Sequence, residues 1–213
     1  MLRRAHPTLN LRWTRNLRSP TGLDFHALYA YETAAGVRIV QGALATEDVD
    51  LLWDARRRIR FLTDLGKLDS SMRRVLQLAD PTFQRKEGQN ETAIDAKGFE
   101  VDFPRRQPEG DDPRPFRFSD DEDDLWPVQA LRVSVLSVLT KAAPRFEHVV
   151  ISATGRMTLM RTIVPEAFTE LKRWMAEKAP QRPEPKRRRD RRQAPIVQTL
   201  LDEGLLVSQA GKG

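Results

Sequence analysis

Residues 45–56 read ATEDVDLLWDAR, and this stretch alternates acidic and apolar side chains. Side chains repeat every two residues along a strand, so the pattern predicts a β-strand with Asp48 and Asp50 on the face opposite Val49. Two acids so close together repel each other and are costly to dehydrate unless a cation lies between them. Any strand with one face in water produces the same alternation, however, so this stretch alone leaves both interpretations open.

A second alternating stretch, GFEVDF at residues 98–103, bears on the same question. Its three apolar residues share one face of the predicted strand, and Asp102 lies on the other face. If the two strands are neighbours in one sheet, Asp48, Asp50 and Asp102 converge. Carboxylate oxygens are the ligands that Mg²⁺ and Mn²⁺ prefer, so these three aspartates are the candidate metal ligands.

The composition limits the other chemistries that are open to the chain. Its 213 residues, 39% apolar and 31% charged, suffice for one core or for a core with a small appended domain. The absence of cysteine excludes disulfides and thiolate sites, and three scattered histidines disfavour a histidine-rich zinc site. No stretch approaches about 18 uncharged apolar residues, so we expect a cytoplasmic protein without a membrane partner.

The net charge of +6 is concentrated near the two ends of the chain. Residues 1–18 hold five arginines and no acid, and residues 182–192 hold seven bases against two acids. Such runs indicate either a phosphate-bearing partner or a solvated basic face. The acidic run at residues 120–124 is typical of a solvated loop or the start of a helix.

The periodicity of apolar residues divides the chain into three parts. We expect an irregular basic segment over 1–23, a mixed core over 24–155 and a helical region over 156–213. The core begins with a helix after Asp24 and includes a strand over 146–152. In the helical region one helix opens at Pro165, and Pro195 is expected to kink or split the next one.

Taken together, several of these stretches resemble a known group of proteins. The sequence is similar to the bacterial nucleotidyltransferase-fold proteins of the polymerase-beta-like superfamily, over roughly residues 24–206. Its C-terminal part looks like the basic helical tail of one branch of that superfamily. The stretches that carry the resemblance are ALYAYE at 27–32, TEDVDL at 46–51, GFEVDF at 98–103, the helix over 168–174 and the basic run over 186–194.

The resemblance implies an α+β fold, in which a small mixed β-sheet nucleotidyltransferase core carries helices on one side and is followed by a helical C-terminal region. It implies that Asp48, Asp50 and Asp102 bind two Mg²⁺ (or Mn²⁺) ions and act as the catalytic residues. A nucleoside triphosphate (NTP) would then donate its nucleotidyl group to a hydroxyl of a protein, an RNA or a small molecule. The candidates for binding the nucleotide are Lys172, Lys186 and Arg189.

One departure from the family pattern concerns the turn before the first helix. The family has a glycine followed by serine or threonine there, where backbone amides approach the triphosphate. This sequence has Asp24, Phe25 and His26 instead, and an acid beside a bulky ring repels and obstructs phosphate. The alternative hypothesis is therefore a catalytically degenerate binding module for a protein partner or nucleic acid. A third hypothesis is an antitoxin-like role.

Overall fold

The computed structural model describes residues 21–22, 26–40, 43, 48–52, 71–106, 119, 121–126, 130–131, 146–151, 155, 157–179 and 182–207. The helices within these ranges are α1 (His26–Ala35), α2 (Met72–Gln77), α3 (Pro165–Glu177) and α4 (Glu184–Asp202). The strands are β1 (Thr21–Gly22), β2 (Asp48–Leu52), β3 (Gln84–Arg85), β4 (Thr92–Ile94), β5 (Glu100–Asp102), β6 (Arg105–Arg106), β7 (Ala130–Leu131), β8 (Phe146–Ile151) and β9 (Met157–Thr162).

Seven of these strands form one mixed sheet in the order β3-β4-β5-β2-β1-β9-β8. β2 runs parallel to β5, and β1 runs parallel to β9, whereas the other pairs in this sheet are antiparallel. β6 and β7 make a separate parallel pair. The predicted α+β class, with a small mixed sheet and C-terminal helices, is confirmed.

Two hydrophobic clusters pack against this sheet. The first joins α1, β8, β9, α3 and α4, and the second joins α2 to β4 and β5. Tyr29 of α1 contacts both clusters, so the two are continuous. Phe99, Val101 and Phe103 are 8%, 0% and 0% exposed in the second cluster, which confirms that the apolar residues of GFEVDF share the core face.

The turn between β4 and β5 fixes the register of this hairpin. The Asp95 carboxylate accepts hydrogen bonds from the backbone N–H groups of Lys97 and Phe99, both at 2.8 Å. Gly98 has a φ of 80°, a left-handed conformation that glycine adopts without steric cost. With the turn closed in this way, Thr92 lies directly opposite Asp102.

Tyr31 connects α1 to the chain that leads from β9 into α3. Its hydroxyl donates a hydrogen bond to the Ile163 carbonyl oxygen at 2.5 Å. Its ring packs edge-on against Phe146 and Phe168, with centroid distances of 5.1 and 5.5 Å. Complete burial raises the pKa of the Tyr31 hydroxyl well above its usual range.

Helices α3 and α4 pack against each other, and arginines from the basic run stabilise the connection. The Arg187 guanidinium donates to the carbonyl oxygens of Ala176, Ala179 and Arg182, at 2.9, 2.5 and 3.1 Å. The first two carbonyl groups lie in the last turn of α3 and just after it, where a carbonyl oxygen has no N–H partner within the helix. Part of the basic run therefore caps a helix.

Several secondary-structure predictions need correction. Pro195 does not split the last helix, since α4 continues through it. Pro195 lies on the exposed side of α4, where water can replace the hydrogen bond that proline cannot donate. β1 lies inside the segment expected to be irregular, and β9 lies inside the region expected to be helical. The division into residues 1–23, 24–155 and 156–213 stays a prediction.

The acidic run also differs from the expected solvated loop. Asp124 is fully buried, and its carboxylate accepts from the Arg73 backbone N–H at 2.9 Å and from the Ser119 hydroxyl at 2.8 Å. Asp121 pairs with the Arg73 guanidinium at 2.8 Å. Hydrogen bonds from the Asp123 N–H and Arg73 lower the pKa of Asp121. These contacts attach the loop to the first turn of α2.

The outer face of the β8–β9 hairpin is partly apolar. Glu147 and Arg161 form an ion pair across the two strands at 2.7 Å. Beyond this pair the face carries the exposed side chains of Val149, Leu159, Ile151 and Met157. No helix in the described part of the chain has the length and apolar character needed to cross a bilayer.

Candidate active site

The backbone places two of the three predicted aspartates directly beside each other. β2 and β5 are parallel neighbours, in a register that pairs Asp50 with Asp102 and Asp48 with Glu100. Partners on adjacent strands share a face of the sheet, as do residues two apart within one strand. Positions 48, 50, 100 and 102 therefore lie on one face, opposite the face that carries Val101 in the core.

The strand order also connects this acidic face to the turn before α1. β1 pairs antiparallel with β2, with Thr21 opposite Leu52 and Gly22 opposite Leu51. The chain direction of β1 therefore leads toward the end of β2 that carries Asp48. Residues 23–25, where the family has its small-residue turn, follow β1 and lie outside the described residues.

Asp102 is supported by a neighbour on the other side of β5. The Thr92 hydroxyl donates a hydrogen bond to Asp102 Oδ1 at 2.5 Å. Thr92 is 2% exposed, and Asp102 is half-buried. A hydrogen bond from a neutral hydroxyl to an ionised carboxylate is of the charge-assisted kind, which is stronger than a bond between two neutral groups.

Glu100 has a cationic partner on the same face. Lys86 follows β3 directly, and its backbone N–H donates to the Thr92 carbonyl oxygen at 2.9 Å. Its ammonium lies 2.6 Å from Glu100 Oε1, and the two side chains are 33% and 30% exposed. The charge of Glu100 is thus balanced by the Lys86 ammonium.

The donor set at positions 48, 50 and 102 fits a hard divalent cation. All three groups are carboxylates, the ligand type that a hard cation prefers, and their backbone positions lie on adjacent strands, which are about 4.8 Å apart in a sheet. Among the side chains that the structure describes, no three acids or histidines gather into a metal-binding group. The side chains of Asp48 and Asp50 are outside that set, so their role as metal ligands stays a prediction.

A family model described as Nucleotidyltransferase matches residues 25–210. The chain belongs to the nucleotidyltransferase family. No curated protein and no solved structure matches it.

The helical region places the predicted nucleotide-binding residues of this nucleotidyltransferase in different surroundings. Lys172 is 2% exposed, and its ammonium lies 3.5 Å from Asp190 Oδ1 and 5.3 Å from the centroid of the Phe168 ring. Lys186 is exposed and Arg189 is partly exposed on α4. Lys172 therefore has a structural role between α3 and α4, and the assignment of all three residues to the nucleotide stays a prediction.

Two residues on the acidic face of this nucleotidyltransferase were missed by the sequence analysis. Thr92 and Lys86 lie in the polar stretch before GFEVDF, which gives no clear periodicity. The signal that identifies Thr92 is the Asp-x-x-Gly turn at residues 95–98, whereas Lys86 follows β3 and is not placed by that turn. That turn predicts a tight hairpin, and a tight hairpin places the preceding residues opposite Glu100 and Asp102.

Proposed function

We propose that this protein transfers a nucleotidyl group from an NTP to a hydroxyl acceptor. Membership of the nucleotidyltransferase family supports nucleotidyl transfer in general. The observation that carries the specific proposal is the parallel register of β2 and β5, which pairs Asp50 with Asp102 and puts Asp48 on the same face.

In this proposal Asp48, Asp50 and Asp102 hold two Mg²⁺ ions, or Mn²⁺ in their place. When bound, the two cations stabilise both the attacking and the leaving oxygens of the displacement. The acceptor oxygen forms a bond to the α-phosphorus and its proton passes to water, while the bond from that phosphorus to the bridging oxygen breaks and pyrophosphate leaves with the electron pair. Positioning and charge stabilisation supply most of the catalysis in phosphoryl chemistry of this kind.

The test is the Mg²⁺-dependent incorporation of a labelled NTP into offered protein, RNA and small-molecule acceptors. Asp48→Asn and Asp50→Asn should each lower incorporation at least about 100-fold, since each removes a charged ligand. Asp202→Asn is the matched control, because Asp202 is exposed on α4 and accepts only a local hydrogen bond from Gln198 at 2.8 Å. Absence of incorporation together with absence of NTP binding by calorimetry would refute the proposal.

A second candidate, a degenerate binding module, is favoured by Asp24 and Phe25 in place of the family's small residues. Its contacts to nucleic acid would come from exposed basic side chains of α4, such as those of Lys186, Arg188 and Arg192. It predicts nucleic-acid binding that weakens steeply as the salt concentration rises, because phosphate contacts release counterions. It also predicts that Asp48→Asn leaves this binding unchanged. A filter-binding series with RNA from 50 to 200 mM salt distinguishes it from the enzyme.

A further inference from the structure

We propose that Thr92 is a positioning residue for Asp102, an inference that rests on the proposed function of the three aspartates. The Thr92 hydroxyl donates to Asp102 Oδ1 at 2.5 Å across the β4–β5 pair. The two residues are direct register partners. Thr92 thus lies on one side of Asp102, and Asp50 lies on the other.

The position of the Thr92 hydroxyl is fixed by its surroundings. The side chain is 2% exposed, and β4 is held between β3 and β5. The Thr92 carbonyl accepts from the Lys86 N–H at 2.9 Å, so the backbone is anchored on the β3 side as well. A β-branched side chain has few χ1 rotamers in a strand, which further limits the movement of the hydroxyl.

A fixed donor restricts the rotation of the carboxylate that it contacts. Carboxylates that bind metal ions are themselves held by hydrogen bonds from surrounding groups, and loss of such a partner typically weakens metal affinity 10- to 100-fold. The contact from Thr92 therefore aligns Asp102 before a cation arrives. The balanced Lys86–Glu100 pair on the same face keeps a fourth carboxylate from competing for that cation.

The test measures Mn²⁺ affinity directly, by calorimetry and by the electron paramagnetic resonance signal of free Mn²⁺. Thr92→Val keeps the shape of the side chain and removes the hydroxyl, whereas Thr92→Ser keeps the hydroxyl. Thr169→Val is the matched control, because Thr169 is also 2% exposed and loses one hydrogen bond, to Pro165, in the helical region. Circular dichroism and thermal unfolding establish that each variant is folded.

We expect Thr92→Val to weaken Mn²⁺ binding at least about tenfold, and Thr92→Ser and Thr169→Val to stay close to the wild-type affinity. Wild-type affinity in a folded Thr92→Val protein overturns the inference and leaves the proposed function standing. Absence of Mn²⁺ binding in the wild-type protein, or binding that Asp50→Asn does not change, refutes the proposed metal site and this inference with it.

A second variant covers the case in which valine is not tolerated. Thr92→Ala also removes the hydroxyl and is expected to give the same tenfold loss, restored in Thr92→Ser. Failure of both the valine and the alanine variants to fold would assign Thr92 a purely structural role and overturn the inference.

Discussion

Asp190 of α4 is completely buried, and its carboxylate lies 3.5 Å from the Lys172 ammonium of α3. Arg182 contacts the other carboxylate oxygen at 2.5 Å. Two basic residues of the helical region, Lys172 and Arg182, therefore form ion pairs with one internal acid. Burying these charges is tolerated only because each has a partner of opposite sign.

Asp190→Asn should destabilise the protein by about 3–5 kcal/mol, because it removes the buried carboxylate that pairs with both Lys172 and Arg182. Urea unfolding followed by circular dichroism measures the change in the free energy of unfolding. Asp202→Asn on the exposed side of the same helix is the control. A change below about 0.5 kcal/mol, the range of ordinary surface substitutions, would contradict the buried triad.

Arg187→Lys should cost about 2 kcal/mol of stability, since lysine keeps the charge but cannot reach three carbonyl oxygens with one planar group. Arg188→Lys makes the same chemical change at the neighbouring exposed residue and should be neutral. The two variants have identical net charge, so a difference between their melting temperatures reports the loss of the hydrogen bonds that the planar Arg187 guanidinium makes. Equal melting temperatures would contradict the capping role.

Glu32→Gln should stabilise the protein at pH 7. Burial raises the pKa of Glu32, and a hydrogen bond from the Ile39 N–H and the Arg38 charge oppose this rise. Glu32 Oε2 is buried and has no hydrogen-bond partner within the part of the chain that the structure describes. A carboxyl with a raised folded pKa contributes stability below its unfolded pKa and loses that contribution as the pH rises through the folded pKa.

The expected advantage of Glu32→Gln therefore disappears below about pH 4, where the unfolded-state carboxyl is also protonated. Melting temperatures across pH 3.5–8 test this, with the exposed Glu177→Gln of α3 as the control. A melting-temperature difference that stays constant over the whole range would show that protonation of Glu32 is not its cause.

Replacing Asp24 by Gly and Phe25 by Ser should raise NTP affinity about tenfold or more, because it removes an acid, two residues before α1 in the sequence, whose charge would repel phosphate. Isothermal calorimetry with a non-hydrolysable NTP measures the change. His6→Ala, remote in sequence from the turn, serves as the control. Unchanged affinity would show that the triphosphate does not approach this turn.

Local patterns in the sequence were sufficient for the strands that carry the aspartates. The alternation in GFEVDF placed Phe99, Val101 and Phe103 on the core face, because a strand with one wet face has a strict period of two. The helix opening at Pro165 was predicted for a similar reason, since proline suits the first turn.

Features that depend on distant parts of the chain were not predictable. The pairing of Asp50 with Asp102 joins residues that are 52 positions apart, and no local pattern specifies which strands become neighbours. β9 has apolar residues on both faces, including exposed Leu159, so it lacks the alternation that identifies a strand. The burial of Asp124 and Lys172 depends on partners that lie far away in the sequence or on another element, such as Arg73 for Asp124 and Asp190 for Lys172.

The triad of Lys172, Arg182 and Asp190 also limits how this family member can diverge. Substitution of Asp190 alone removes an ion-pair partner from both Lys172 and Arg182, and substitution of Lys172 alone removes one of the two partners of Asp190. Each single substitution is therefore costly, whereas a joint change of all three residues to apolar ones is not. In an alignment of related chains, these three positions should vary together. A relative that has lost Asp190 but kept Lys172 would be expected to have acquired a new acid nearby.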